Sequence, residues 1–206
     1  MTKAAVKTIA YRRKTATERR QELVRAGITC LGKGGMTAFT IDQICTQAGV
    51  SRGLINHHFK TKEELLVCIY EDMTNHLVAE FKTDDPHLQL KEIVETSFDE
   101  RSFDRDNLRA WLSIWGEVAT NAALSKLHRD RYQVYKTRIA RALSAIKTDS
   151  RAGLDADSIA RQLIALIDGL WLEYCLHSTG FTLAAARTDC YHLLRSYGVT
   201  VEAENR

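Results

Sequence analysis

The chain has 206 residues, 45% of them hydrophobic and 27% charged, which supports a buried core and excludes a disordered polypeptide. Its most apolar stretch, residues 158–176, is interrupted by Arg161, Asp168 and Glu173, which excludes a membrane span and, with an N-terminus lacking an apolar signal core, reads as a cytoplasmic protein. Five widely spaced cysteines without a CxxC pair exclude a disulfide framework or zinc ribbon, and a net charge of +3 hides an asymmetry: residues 1–63 carry +8 and the remainder −5.

Apolar residues recur at helical spacing almost throughout, and Pro86 is the chain's single proline, so the fold is expected to be all-α. A basic arm, residues 1–16, precedes a first helix expected from Thr17. Leu23, Gly27, Ile28 and Leu31 form its apolar stripe, and Gly34-Gly35 is expected to end it. Thr40, with Gln43 three residues on, fits a capping box for a short second helix closed by Gly49. Ser51 is placed to cap the next helix, residues 52–59, and Thr61 a long one over residues 62–81. Asp85-Pro86 reads as the cap and first position of a further helix. Beyond it, helices are expected near 87–100, 107–120, 122–147, 155–178 and 182–197, with a disordered tail at 201–206.

Two helices joined by Ala48-Gly49-Val50-Ser51, the second rich in polar residues, form a helix-turn-helix. Such a motif inserts the start of its second helix into the major groove of DNA. Residues 37–66 resemble the DNA-binding domain of the TetR family of regulators at Thr40, Ile44, Ala48-Gly49-Val50-Ser51, Gly53, Phe59, Lys62-Glu63 and Leu65-Leu66. The resemblance implies an N-terminal three-helix DNA-binding domain (17–62) and a C-terminal helical domain for ligand binding and dimerisation (63–200). It further implies a homodimeric repressor of double-stranded operator DNA, released by a small-molecule inducer. By the same resemblance Arg52, Gly53, Leu54, Asn56, His57 and His58 lie at the DNA surface, with Thr40, Ser51 and Lys62 on phosphate. Asn56 departs from the tyrosine usual in that family. Arg52 is the first candidate for base readout, because its fork matches two acceptors on guanine. Arg12, Arg13, Lys14, Arg19 and Arg20 could extend the footprint. Ile55 and Phe59 read as core. His57 and His58, neighbours on a helix, point about 100° apart and do not share a metal ion, so no metal or cofactor is expected.

All three tryptophans lie in the second half: Trp111 and Trp115 one helical turn apart, and Trp171 beside Asp168 and Tyr174. Aromatic faces with a carboxylate suit a quaternary ammonium ion, although a tryptophan stripe at this spacing also fits plain core packing. Residues 111–117 and 165–174 resemble the BetI-type branch of the family, repressors of choline-to-betaine genes. That likeness implies a choline-like inducer bound by Trp111, Trp115, Asp168, Trp171 and Tyr174. The family also implies a four-helix dimer interface from the last two helices, with Leu163, Ile167, Leu170, Leu183, Leu193, Leu194 and Tyr197 as its apolar contacts. No phosphate loop, nucleophile elbow or HExxH is present, so the chain is not expected to be an enzyme. The alternative is a helical protein-interaction or architectural DNA-binding protein without a ligand switch.

Overall fold

A computed structural model of the chain describes residues 15–100, 104–146, 155–177 and 179–201. Among the described residues there are nine helices and no strand: α1 (Ala16–Ala38), α2 (Ile41–Ala48), α3 (Arg52–His58), α4 (Lys62–Val78), α5 (Pro86–Ser97), α6 (Arg105–Val118), α7 (Ala122–Ala145), α8 (Ala156–Leu176) and α9 (Leu183–Ser196). The expected all-α architecture is present.

Local sequence explains most of the boundaries. The capping box that starts α1 lies two residues before the expected start: Thr15 Oγ1 accepts from the Glu18 amide at 3.1 Å, and Glu18 accepts from the Thr15 amide at 2.7 Å. The expected basic arm therefore ends before Thr15, and Arg12, Arg13 and Lys14 lie outside the described residues. Gly34-Gly35 interrupts α1 rather than ending it; Gly35 takes φ 64° and one more turn follows. Thr40, Thr61 and Asp85 each accept a backbone amide at the start of α2, α4 and α5. Ser51 holds the N-cap position of α3 but makes no side-chain cap bond, which corrects the expected cap. At the other end, Val201 is buried, as is Val199. The tail expected to be disordered thus begins with a core residue, and 202–206 lie outside the described residues.

A single apolar core runs from Leu23 in α1 to Val201. Ile44, Ile55, Phe39 and Phe59 pack with Leu65 and Ile69 of α4, so α4 shares the core of the first three helices. Helix α1 crosses α6 closely: a Cβ added at Gly32 would lie 2.3 Å from the Asp106 carbonyl oxygen. Helix α7 packs between α4 and α8, and α9 covers α8.

The expected dimer contacts need correction. Leu163, Ile167, Leu170 and Leu194 are buried inside the protomer, so they have no surface to offer a partner. The outward face of α8 instead presents Ala165, Gly169, Leu172 and Leu176, and Leu176 is 73% exposed. Among the described residues no helix is long and apolar enough to cross a membrane.

Candidate functional site

The first candidate surface is built by α2, α3 and the start of α4. Gly49 closes α2 in the left-handed conformation (φ 65°, ψ 40°), which favours glycine. Val50 then donates its amide to Cys45 O at 3.0 Å and packs on the core. This fixes the angle between the two helices. Ile55 and Phe59 face inward, leaving Arg52, Gly53, Asn56 and His57 exposed with Leu54 and His58 half-buried. Thr40 and Ser51 are exposed on the same motif. Lys62 opens α4, its Nζ 5.8 Å from the Phe39 ring centre. The Thr61 hydroxyl takes the Glu64 amide at 3.0 Å and Glu64 takes the Lys60 amide at 2.8 Å. The remaining orphan amides at the head of α4 lie beside Lys62. Burial, then the neighbouring His57, Arg20 and Arg19, holds His58 below the ordinary histidine range. It is therefore a neutral hydrogen-bonding group at pH 7 and adds no positive charge to α3.

Arg52 does not stand alone. Its Nε and Nη2 donate to the two carboxylate oxygens of Asp42, each at 2.5 Å. Arg20, proposed from sequence as part of the outward footprint, is turned to the protein instead. Its guanidinium lies 4.2 Å over the Phe59 ring, donates to His58 O at 2.8 Å and to Cys68 Sγ at 2.7 Å, and sits 3.9 Å from Glu64. It ties the end of α3 to α4.

The second candidate site lies among α4, α5, α6, α7 and α8. Trp111 touches Trp115 and Trp171 at ring distances of 5.9 and 5.8 Å and Tyr70 at 6.0 Å. Trp171 Nε1 donates to Ser97 O at 2.9 Å, which fixes its ring. Asp168 accepts from the Tyr132 hydroxyl. Burial pushes the Asp168 carboxyl up to about 6 even though the Tyr132 hydrogen bond opposes the rise. Burial first, then the adjacent Asp168, raises Tyr132, so it remains a neutral donor. These side chains, with Tyr135, His76, Leu77 and Ile167, line a cavity of about 30 Å³, room for one or two waters.

Four of the five expected pocket residues thus converge: Trp111, Trp115, Asp168 and Trp171. Tyr174 does not. It packs on Phe181, in the connection between α8 and α9, at 5.2 Å and outside the lining, because three residues from Trp171 is nearly but not quite a full turn. Sequence reading missed Tyr70, Tyr132 and Tyr135. A signal existed in α7, where His128, Tyr132 and Tyr135 recur at helical spacing, whereas nothing local ties Tyr70 to them. Among the described residues no cluster suited to a metal ion is present.

Residues 23–68 match the family of bacterial regulatory proteins, tetR family, and residues 86–198 match the BetI-type transcriptional repressor C-terminal family. The chain belongs to the BetI-type branch of the TetR family. It is 33% identical over 187 residues to the HTH-type transcriptional regulator BetI of Cronobacter sakazakii, covering 86% of this chain and 89% of that protein. The corresponding regulator of Serratia proteamaculans is 31% identical over 175 residues, covering 82% and 86%. A transcriptional regulator from Pseudomonas aeruginosa superposes with a TM-score of 0.75 at 29% identity, over 91% of this chain and 93% of its own. A regulator from Saccharomonospora viridis, solved in complex with choline, shares the fold with a TM-score of 0.73 at 24% identity over 87% and 96%. As a TetR-family repressor of BetI type, the protein binds operator DNA and dimerises, and it is not an enzyme. Membership also sets aside the interaction-module and architectural alternatives.

Proposed function

We propose that this repressor occupies its operator as a cytoplasmic homodimer and is released when a quaternary ammonium ion of the choline class enters the aromatic cavity. The carrying observation is one half-buried carboxylate, Asp168, set among Trp111, Trp115, Trp171, Tyr70, Tyr132 and Tyr135. A quaternary ammonium group, permanently charged and without N–H donors, is held by ring faces and a counter-charge, whereas a neutral ligand leaves Asp168 uncompensated. The choline bound to the Saccharomonospora regulator supports the same ligand class.

On the DNA side, Arg52 reads guanine, Asn56 and His57 face the groove edge or backbone, and Thr40, Ser51 and Lys62 hold phosphate. Gly53 admits the backbone, and Leu54 and His58 complete the contact face. The outward face of α8 with α9 supplies the dimer contact, whose geometry sets the two recognition helices about 34–36 Å apart. Helix α4 links the sites: Leu65 and Ile69 lie in the DNA-binding core, and Tyr70, His76 and Leu77 line the cavity. Room for one or two waters does not hold a choline-sized ion, so entry of the effector pushes on these side chains and on α4.

The test is fluorescence anisotropy on DNA from upstream of the protein's own gene, at fixed salt, with and without choline. Tight binding over random competitor that choline weakens supports the whole reading. Tight binding indifferent to choline, betaine aldehyde and other quaternary ammonium ions overturns the ligand class.

A further inference from the structure

Asp42 stands exposed on α2 in a segment whose other charges are mostly positive. A carboxylate on a surface that meets phosphate is repelled by it, so its presence needs a reason. Stability is a weak one. The Asp42 and Arg52 side chains are 63% and 69% exposed, and exposed ion pairs contribute about 0–1 kcal/mol.

The atoms give a stronger reason. Asp42 takes the side edge of the guanidinium, Nε and Nη2. What remains is the end edge, Nη1 with the second proton of Nη2, and two parallel N–H groups on one edge are what O6 and N7 of guanine accept. A free arginine at the start of a recognition helix samples many rotamers, and side-chain ordering costs about 0.5–1.5 kcal/mol on binding. A bidentate grip from the neighbouring helix removes much of that freedom before DNA arrives. It also cancels one positive charge that would otherwise favour any phosphate.

We infer that Asp42 is a specificity-determining positioning residue: it holds Arg52 by one edge so that the other edge presents to a guanine in the operator. This rests on the reading of Arg52 as the base contact. Asp42 raises the contrast between operator and random DNA more than it raises affinity.

The experiment compares the full-length wild type, Asp42→Asn, Arg52→Ala, Arg52→Lys and the Asp42→Asn/Arg52→Ala double variant on the operator. Each G·C pair of the operator is exchanged in turn, and melting temperature is recorded alongside. Asp42→Asn keeps the size of the side chain and removes the charge. The wild type is expected to prefer guanine at one position per half-site by roughly 5- to 100-fold. Arg52→Ala and Arg52→Lys lose that preference, the lysine because a point charge cannot be gripped on one edge and read with another. Asp42→Asn loses at least threefold of it at the same position and no other, its affinity for random DNA is unchanged or higher, and the double variant loses no more than Arg52→Ala.

Retention of the full preference by Asp42→Asn, with loss in Arg52→Ala, overturns the role of Asp42 and leaves Arg52 as the reader. Retention of every preference by Arg52→Ala overturns the base-contact reading itself. Tighter operator binding by Asp42→Asn with the preference intact makes Asp42 a brake and also overturns the inference. An equal loss at all positions with a lowered melting temperature assigns it to the start of α2 alone.

Discussion

Asp168 carries opposite requirements in the empty and the filled cavity. Burial holds its carboxyl up at about 6, against an ordinary 3.8. A folded-state value above the unfolded one means that the folded protein binds more protons between about pH 4 and 6. Stability therefore falls as pH rises through that window, and at neutral pH the ionised group costs up to about 3 kcal/mol. Asp168→Asn is expected to raise the melting temperature at pH 7.5 and to remove this share of the pH dependence, read as the difference between variant and wild type in pH-resolved thermal melts. The cation needs the ionised form, so wild-type affinity for choline should fall below pH 6, approaching tenfold per unit, and Asp168→Asn should bind it at least tenfold more weakly at pH 7.5. Calorimetric titration decides both; affinity that is flat from pH 7.5 to 5 removes Asp168 from the site. The neighbouring tyrosine makes a contrasting case. Tyr174 turns to Phe181, so Tyr174→Phe should leave choline affinity within about twofold, whereas Trp171→Ala should lower it at least tenfold. Helical spacing alone gave Tyr174 and Trp171 equal standing as pocket residues. Only the contact with Phe181, in the connection that follows α8, separates them.

Individual elements were largely legible because helix ends are written in short-range chemistry. Thr40, Thr61 and Asp85 reach amides two or three residues away, and Gly49 closes α2 through its own backbone. Contacts between elements were not. The Asp42–Arg52 pair spans a turn, Tyr70 meets His128 across 58 residues at 2.7 Å, and α8 is apolar on two faces. Periodicity marks Leu163, Ile167 and Leu170 but does not say that they face the protomer's own core while Leu172 and Leu176 face out. Two glycines test the difference between local and tertiary constraint. At Gly49 an added Cβ meets nothing within 4 Å, so Gly49→Ala pays only the left-handed backbone, about 1–2 kcal/mol. Gly32→Ala gains about 1 kcal/mol of helix propensity, yet its Cβ would sit 2.3 Å from the Asp106 carbonyl, a backbone atom that yields only if α1 and α6 part. The clash wins, and a net loss on the order of 2 kcal/mol is expected. With about 2–4 °C per kcal/mol for a chain of this size, thermal melts resolve both. A Gly32→Ala protein as stable as wild type would contradict the tight α1–α6 crossing.

At the scale of the whole molecule, two sites share one element, and thermodynamics then fixes how each reports on the other. Helix α4 carries Leu65 and Ile69 into the core beneath α2 and α3, while Tyr70, His76 and Leu77 line the cavity. Arg20 fastens α3 to it through His58 O and Cys68 Sγ. Farther along α4, Arg131 of α7 donates to Glu71 O at 3.3 Å, and at its end Arg138 donates to Leu77 O at 2.7 Å. A shift of α4 driven by the effector must therefore move α3 with it or break those contacts. If choline weakens operator binding by some factor, the operator must weaken choline binding by the same factor. A factor of roughly 5–150 is the usual range for such coupling. Calorimetric titration of choline into free and operator-bound repressor measures one arm, and anisotropy with saturating choline measures the other. Arg20→Ala should leave choline affinity of the free protein within about threefold, because Arg20 lies away from the cavity lining, and should shrink both arms together. Arg20→Lys can keep one hydrogen bond but not the fork, so its coupling should fall between the two. Coupling undiminished in Arg20→Ala, with a normal melting temperature, would place the link between the sites in the packed core of α4 and not in this arginine.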